Sequence, residues 1–96
     1  MTEEIRERSL KCVVAVSPTR ALEEISALVD ALIDISDRQM LGRNAMVVYS
    51  SATAAEIRVA LMPLLDAAAS VFVVEFERWS SYGVGVDGEW LLRRGH

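Results

Sequence analysis

Apolar and polar positions along the chain alternate between two rhythms, one of strand length and one of helical period. Leu10 to Val16, LKCVVAV, is a β-branched run with apolar residues on both faces, which predicts a central strand covered on both sides. Ser17-Pro18 then supplies a helix cap and a proline suited to the first helical position. Leu22, Ile25, Leu28, Val29, Leu32, Ile33 and Ile35 follow helical spacing and predict a broad buried face that ends near Asp37. Arg38 to Leu41 is short enough for an edge strand, and Gly42 and Asn44 provide the turn that pairs it with Met46 to Ser50, MVVYS. Thr53 and Glu56 have capping-box spacing, and Ile57, Ala60, Leu61, Leu64 and Ala68 share a helical face. Pro63 interrupts that helix and predicts a bend or a short non-α turn. Val71 to Glu77, VFVVEFE, reads as a strand with Phe72, Val74 and Phe76 on one side and Val71, Val73 and Glu75 on the other.

Beyond that strand the pattern changes. Asp87-Gly88 lies between apolar residues, a hairpin signal that pairs Val84 and Val86 with Trp90 and Leu92. The element order predicts an α+β domain: a ferredoxin-like βαββαβ sandwich with an antiparallel sheet, two helices on one face, and a C-terminal hairpin or strand appendage over residues 78–96. A βαβ unit with a parallel strand pair is the second topology. Residues 1–9 read as a charged tail before a single domain over 10–96. Because the strands are apolar on both sides while the helices cover one, the pattern predicts a homodimer through the open sheet face and the appendage.

Composition narrows the function classes. Fourteen acidic against ten basic residues give a net charge of −4, a poor match to non-specific binding of nucleic acid or an anionic membrane surface. Cys12 is the one cysteine, so no internal disulfide forms, and no Cys/His cluster of zinc-ligand spacing is present. No apolar run reaches the ~20 residues of a membrane span, and the start of the chain lacks a signal-peptide pattern, so a cytoplasmic protein without cofactors is expected.

Three groups of residues carry candidate chemistry. Arg78, Trp79, Tyr82, Trp90, Arg93 and Arg94 combine cations with stacking surfaces, suited to single-stranded nucleic acid or to a protein interface. The acidic net charge and the open sheet face favour the interface. Glu23, Asp30, Asp34 and Asp37 fall on one flank of the first predicted helix, either as a docking strip for a basic partner or as a solvated face. Cys12 reads as a small buried hydrophobe, and His96, the one histidine, is terminal and has no nucleophile beside it.

The segment VVYSSATAAEIRVALMPLLDAAASVFVVEF resembles small CRISPR-associated adaptation proteins of the ferredoxin-fold type. It resembles more closely their stand-alone SinR-like relatives, which are related to VapD-type toxins. The residues that carry the likeness are Ile57, Arg58, Leu61, Pro63, Leu65 and Asp66, in a capped helix between two apolar strands. The resemblance implies a dimer in which active members place an Asp at the end of the first strand to hold a divalent metal. Here Ser17 occupies that position, and a serine is a poor ligand where a carboxylate is wanted. The expectation is a non-catalytic homodimeric interaction protein of this group. The alternative is a nucleic-acid-binding protein or a metal-dependent endoribonuclease with relocated carboxylates.

Overall fold

The computed structural model describes residues 7–17, 22, 33–83 and 85–95. Strand β1 spans Ser9–Val16, β2 Arg38–Met40, β3 Ala45–Ser50 and β4 Ser70–Phe76. They form one antiparallel sheet in the order β2-β3-β1-β4, with β1 central as its two apolar faces require. The short β2 pairs with β3 across the Gly42–Asn44 turn, Met40 opposite Met46, as the turn residues predict.

Helix α1 covers Ala54–Leu61. Thr53 Oγ1 accepts from the Glu56 N–H at 3.1 Å, and the Glu56 carboxylate accepts from the Thr53 N–H at 2.9 Å, so the capping box forms in full. At Pro63 the α-helix gives way to a 3-10 turn over Met62–Leu64, the short non-α turn that the proline predicts. The helix presents Ile57 and Leu61 to Val13, Ala15, Met46 and Val48, which project from the first face of the sheet. Each such side chain, fully buried, stabilises the fold by ~1.5–3 kcal/mol. Ala68 is exposed in a turn and takes no part in that face.

Most of the first predicted helix lies outside the described residues. Leu22, within it, is helical and fully buried in the same core, and its N–H donates to the Arg43 carbonyl at 2.9 Å. The helical pattern does not run on to Asp37. Asp34 has extended backbone (φ −61°, ψ 143°), and a separate 3-10 turn covers Ile35–Asp37. Asp34 caps that turn by accepting from the Ser36 N–H at 3.0 Å, a local bond that competes with continuation of a helix.

The C-terminal hairpin is the principal correction. Residues Gly88–Gly95 form a second helix, α2, and not a strand. Asp87 Oδ1 accepts from the Trp90 N–H at 3.2 Å, and the Leu91 N–H bonds to the Asp87 carbonyl at 3.4 Å. Asp-Gly therefore acts as a helix start. Glu89 in the first turn and Arg93 and Arg94 in the last complement the helix dipole, a charge order that a hairpin does not need. Only one face of α2 is buried: Leu91 is 3% exposed and Leu92 60%.

This helix lies on the second face of the sheet. Leu91 packs with Leu10 and Val47 in a cluster that also gathers Tyr49, Phe76, Trp79, Val86 and Trp90. The appendage thus covers part of its own chain's open sheet face.

Candidate functional site

The second sheet face divides into two halves, and the division follows from where α2 is anchored. Gln39, on the short edge strand, accepts from the Asp87 N–H at 2.6 Å and donates to the Asp87 carbonyl at 3.4 Å, fixing the start of the helix. The Ser36 carbonyl receives both the Trp90 indole N–H at 3.0 Å and the Arg94 guanidinium at 2.9 Å. Arg94 also donates to Asp37 at 3.3 Å and stacks 4.3 Å from the Trp90 ring. Asp37 takes a second arginine, Arg8, at 3.0 Å. Every one of these anchors lies toward the β2–β3 side, and the end of the β1–β4 pair that carries Val16, Phe72 and Val74 stays uncovered. There Val16 is 50% exposed, Phe72 64% and Val74 39%.

Between the covered half and the segment leading into α2 is a cavity of about 340 Å³. Cys12, Val47 and Phe76 come from the sheet, with Trp79, Val86 and Leu91 from the C-terminal segment. Tyr82, 99% exposed, stands among its lining residues with the exposed Ser80 and Ser81, and these form the rim. Among the described residues, Trp79 Nε1 is the one buried side-chain polar atom with no hydrogen-bond partner. Leaving such a donor unpaired costs about 1–3 kcal/mol. Burial pushes the Cys12 thiol pKa up, so the thiol is protonated near neutral pH and is a poor nucleophile.

The six Arg and aromatic residues that the sequence grouped as one contact surface separate into different environments. Trp79 and Tyr82 line the cavity, while Trp90 and Arg94 are engaged with Ser36 and Asp37. Arg93 is exposed and pairs with Glu89 at 3.4 Å, and Arg78 is exposed beyond β4. The acidic group separates too. Glu23 and Asp30 lie outside the described residues, Asp34 caps the 3-10 turn, and Asp37 is neutralised by two arginines. The Ser36 N–H, followed by its hydroxyl, holds the Asp34 carboxyl below the usual carboxylate range. Asp34 and Asp37 therefore do not continue a helical docking strip. His96 is outside the described residues.

Ser17 is buried at the end of β1, and its hydroxyl is 3.5 Å from a carboxylate oxygen of Asp66. The other Asp66 oxygen accepts from the Ala68 N–H at 3.1 Å. Among the described residues no group of three His, Cys, Asp or Glu side chains could hold a metal ion.

Sequence reasoning passed over two features. The Gln39 side-chain amide holds the Asp87 backbone, and the Ser36 backbone carbonyl holds Trp90 and Arg94; a backbone group takes part in each contact and leaves no compositional trace. Lys11 is 1% exposed and donates to the Ser50 carbonyl at 2.6 Å, with the Glu75 carboxylate 3.8 Å away. A lone lysine within an apolar central strand was the available signal, since such a charge must find partners. Glu75 also accepts from the Ser9 hydroxyl at 3.1 Å, which gives it a structural partner on each side.

No helix among the described residues is long and apolar enough to cross a membrane. Comparison of the chain with protein-family models, with curated proteins and with solved structures finds no match.

Proposed function

We propose that this chain is a non-catalytic homodimeric interaction protein with a ferredoxin-like βαββαβ fold. The sheet order β2-β3-β1-β4, antiparallel throughout, supports that fold, because a helical crossover from β1 must pass over β3 to reach β2. The buried helical Leu22 lies in the intervening segment. Kinship with the CRISPR-adaptation and VapD-type group rests on the motif from Ile57 to Asp66. Within it, Ile57 and Leu61 fill the core, Pro63 ends the helix and Asp66 shapes a turn. These are structural roles.

The observation that carries the dimer is the uncovered half of the second face. Phe72 and Val74 on the edge strand β4, with Val16 and the half-buried Val14 on its neighbour, form a contiguous apolar strip. An edge strand with an exposed apolar face invites pairing unless another surface covers it. A second copy of the chain presents the same strip about a two-fold axis. This differs in one respect from dimerisation through the whole face and the appendage: α2 occupies the other half and packs within its own chain.

Sedimentation velocity over a concentration series tests the reading. The wild-type chain is expected to sediment as a dimer at micromolar concentration. Phe72→Glu, at a side chain that the monomer already exposes, should give a folded monomer. A wild-type chain that remains monomeric at high concentration rejects the dimer. Magnesium-dependent cleavage of RNA that disappears in Asp66→Asn rejects the non-catalytic assignment.

A further inference from the structure

We propose that β4 pairs antiparallel with β4 of a second copy, about a two-fold axis at Val73, and so joins the two sheets edge to edge. The inference rests on the homodimer proposed above and specifies how its chains meet. β4 is an outer strand of the sheet, and among the described residues no backbone bond reaches its outer side. Pairing within the sheet shows which groups face outward. The Ala15 N–H donates to the Asn44 carbonyl at 2.9 Å, so the backbone of Ala15 turns toward β3. Backbone direction alternates along a strand, so Val14 and Cys12 turn toward β4, where they stand opposite Phe72 and Val74. Val71, Val73 and Glu75 therefore direct their N–H and carbonyl groups away from the sheet. The other edge is not equivalent. β2 has three residues, and the Gln39 side chain in it is engaged with Asp87. β4 has seven, with no proline and one charge, Glu75, so it lacks most of the features that blunt an edge.

The outward row is self-complementary about one position. With the axis at Val73, that residue exchanges both bonds with the partner's Val73, and Val71 does so with the partner's Glu75. Every outward group of the row then acquires a partner. The same register sets Phe72 beside the partner's Val74 on the open face, an aromatic–β-branched pair of the kind that stabilises antiparallel sheets. Both side chains are exposed in the single chain. Neighbouring registers are worse. An axis at Val74 brings the two Glu75 residues to diagonal positions ~7–8 Å apart, where like charges repel. The axis at Val73 separates them by roughly 14 Å along the strands, beyond the ~8 Å screening length. An axis at Phe72 sets Glu75 opposite the partner's Ala69, past the end of β4, and its outward bonds are lost.

Two variants of the whole chain, Phe72→Cys and Val74→Cys, each combined with Cys12→Ala, test the register. Both positions are exposed, so neither change empties the core. Directly opposite residues of this type have Cα atoms ~4.5 Å apart, within disulfide reach, whereas diagonal ones at ~7–8 Å are outside it. Mild oxidation of an equal mixture should therefore give almost solely the mixed disulfide, and each variant alone should give little dimer. In the wild-type chain, the fast exchange of the Val71, Val73 and Glu75 amide protons in dilute solution should be lost as the dimer forms. A dimer in which those amides keep exchanging fast, or variants that cross-link symmetrically, overturns the edge pairing and leaves the homodimer standing on some other contact. A chain that is monomeric at every concentration overturns both, and leaves the edge to a strand of a different protein.

Discussion

Truncation of Leu91 to alanine tests the placement of α2 most directly. The side chain is 3% exposed and packs against Leu10 and Val47 on the sheet. The change removes about three methylene equivalents at ~0.8 kcal/mol each, or roughly 2.4 kcal/mol of transfer energy. A residual void adds to that, so the expected cost is ~2.5–4 kcal/mol. The total stability of a domain this size is about 5–15 kcal/mol, so the loss is a large fraction of it. At ~4–8 °C per kcal/mol, Tm should fall by roughly 10–30 °C. Leu92 is the internal control. It is 60% exposed on the same helix, and Leu92→Ala should change stability by no more than about 0.5 kcal/mol. Had residues 88–95 formed the second strand of a hairpin, Trp90 and Leu92 would share the buried face and Leu91 would point away. Urea unfolding of both variants, followed by circular dichroism, separates the two arrangements. A Leu92→Ala cost equal to or larger than that of Leu91→Ala refutes the helix and its docking.

Two further predictions concern the same face. Asp87→Ala removes the oxygen that accepts from the Trp90 N–H and should cost ~1 kcal/mol, whereas Asp87→Asn, which keeps an acceptor, should recover most of the loss in thermal melts. The raised Cys12 pKa fixes the sign of a pH effect. The folded thiol holds its proton where the unfolded thiol has lost it, so its contribution is complete below the unfolded pKa of ~8.5 and is lost as pH rises through the folded value. Denaturant midpoints should therefore fall more steeply above pH ~8.5 for the wild type than for Cys12→Ala, and parallel curves refute the effect.

What could be read from the chain depended on where the determining interactions lay. Strands β1, β3 and β4 were legible because their apolar side chains must be buried, and the period shows which faces they occupy. The capping box at Thr53 and the break at Pro63 were legible because both are local backbone chemistry. Asp87-Gly88 was ambiguous, since the same pair can close a hairpin or start a helix. The choice is made by Leu91 meeting Leu10 and Val47, and by Gln39 holding the Asp87 backbone, contacts far apart in sequence. The cavity was invisible for the same reason. In the sequence Trp79 reads as part of a stacking surface, and only the folded chain commits Trp90 and Arg94 to Ser36 and Asp37.

Asp37 joins three distant parts of the chain. Its carboxylate, 16% exposed, receives Arg8 from the approach to β1 and Arg94 from the last turn of α2. Arg8 is itself 57% exposed and contributes the weaker arm, while Arg94 is 20% exposed and contributes the stronger. Fraying at the two flanks is consequently not independent. When α2 lifts, Asp37 loses its better-shielded partner, and the cover over Leu10 departs with Leu91. Amide protons at the start of β1 and along α2 should then exchange with solvent as one cooperative unit, opening together below the free energy of global unfolding.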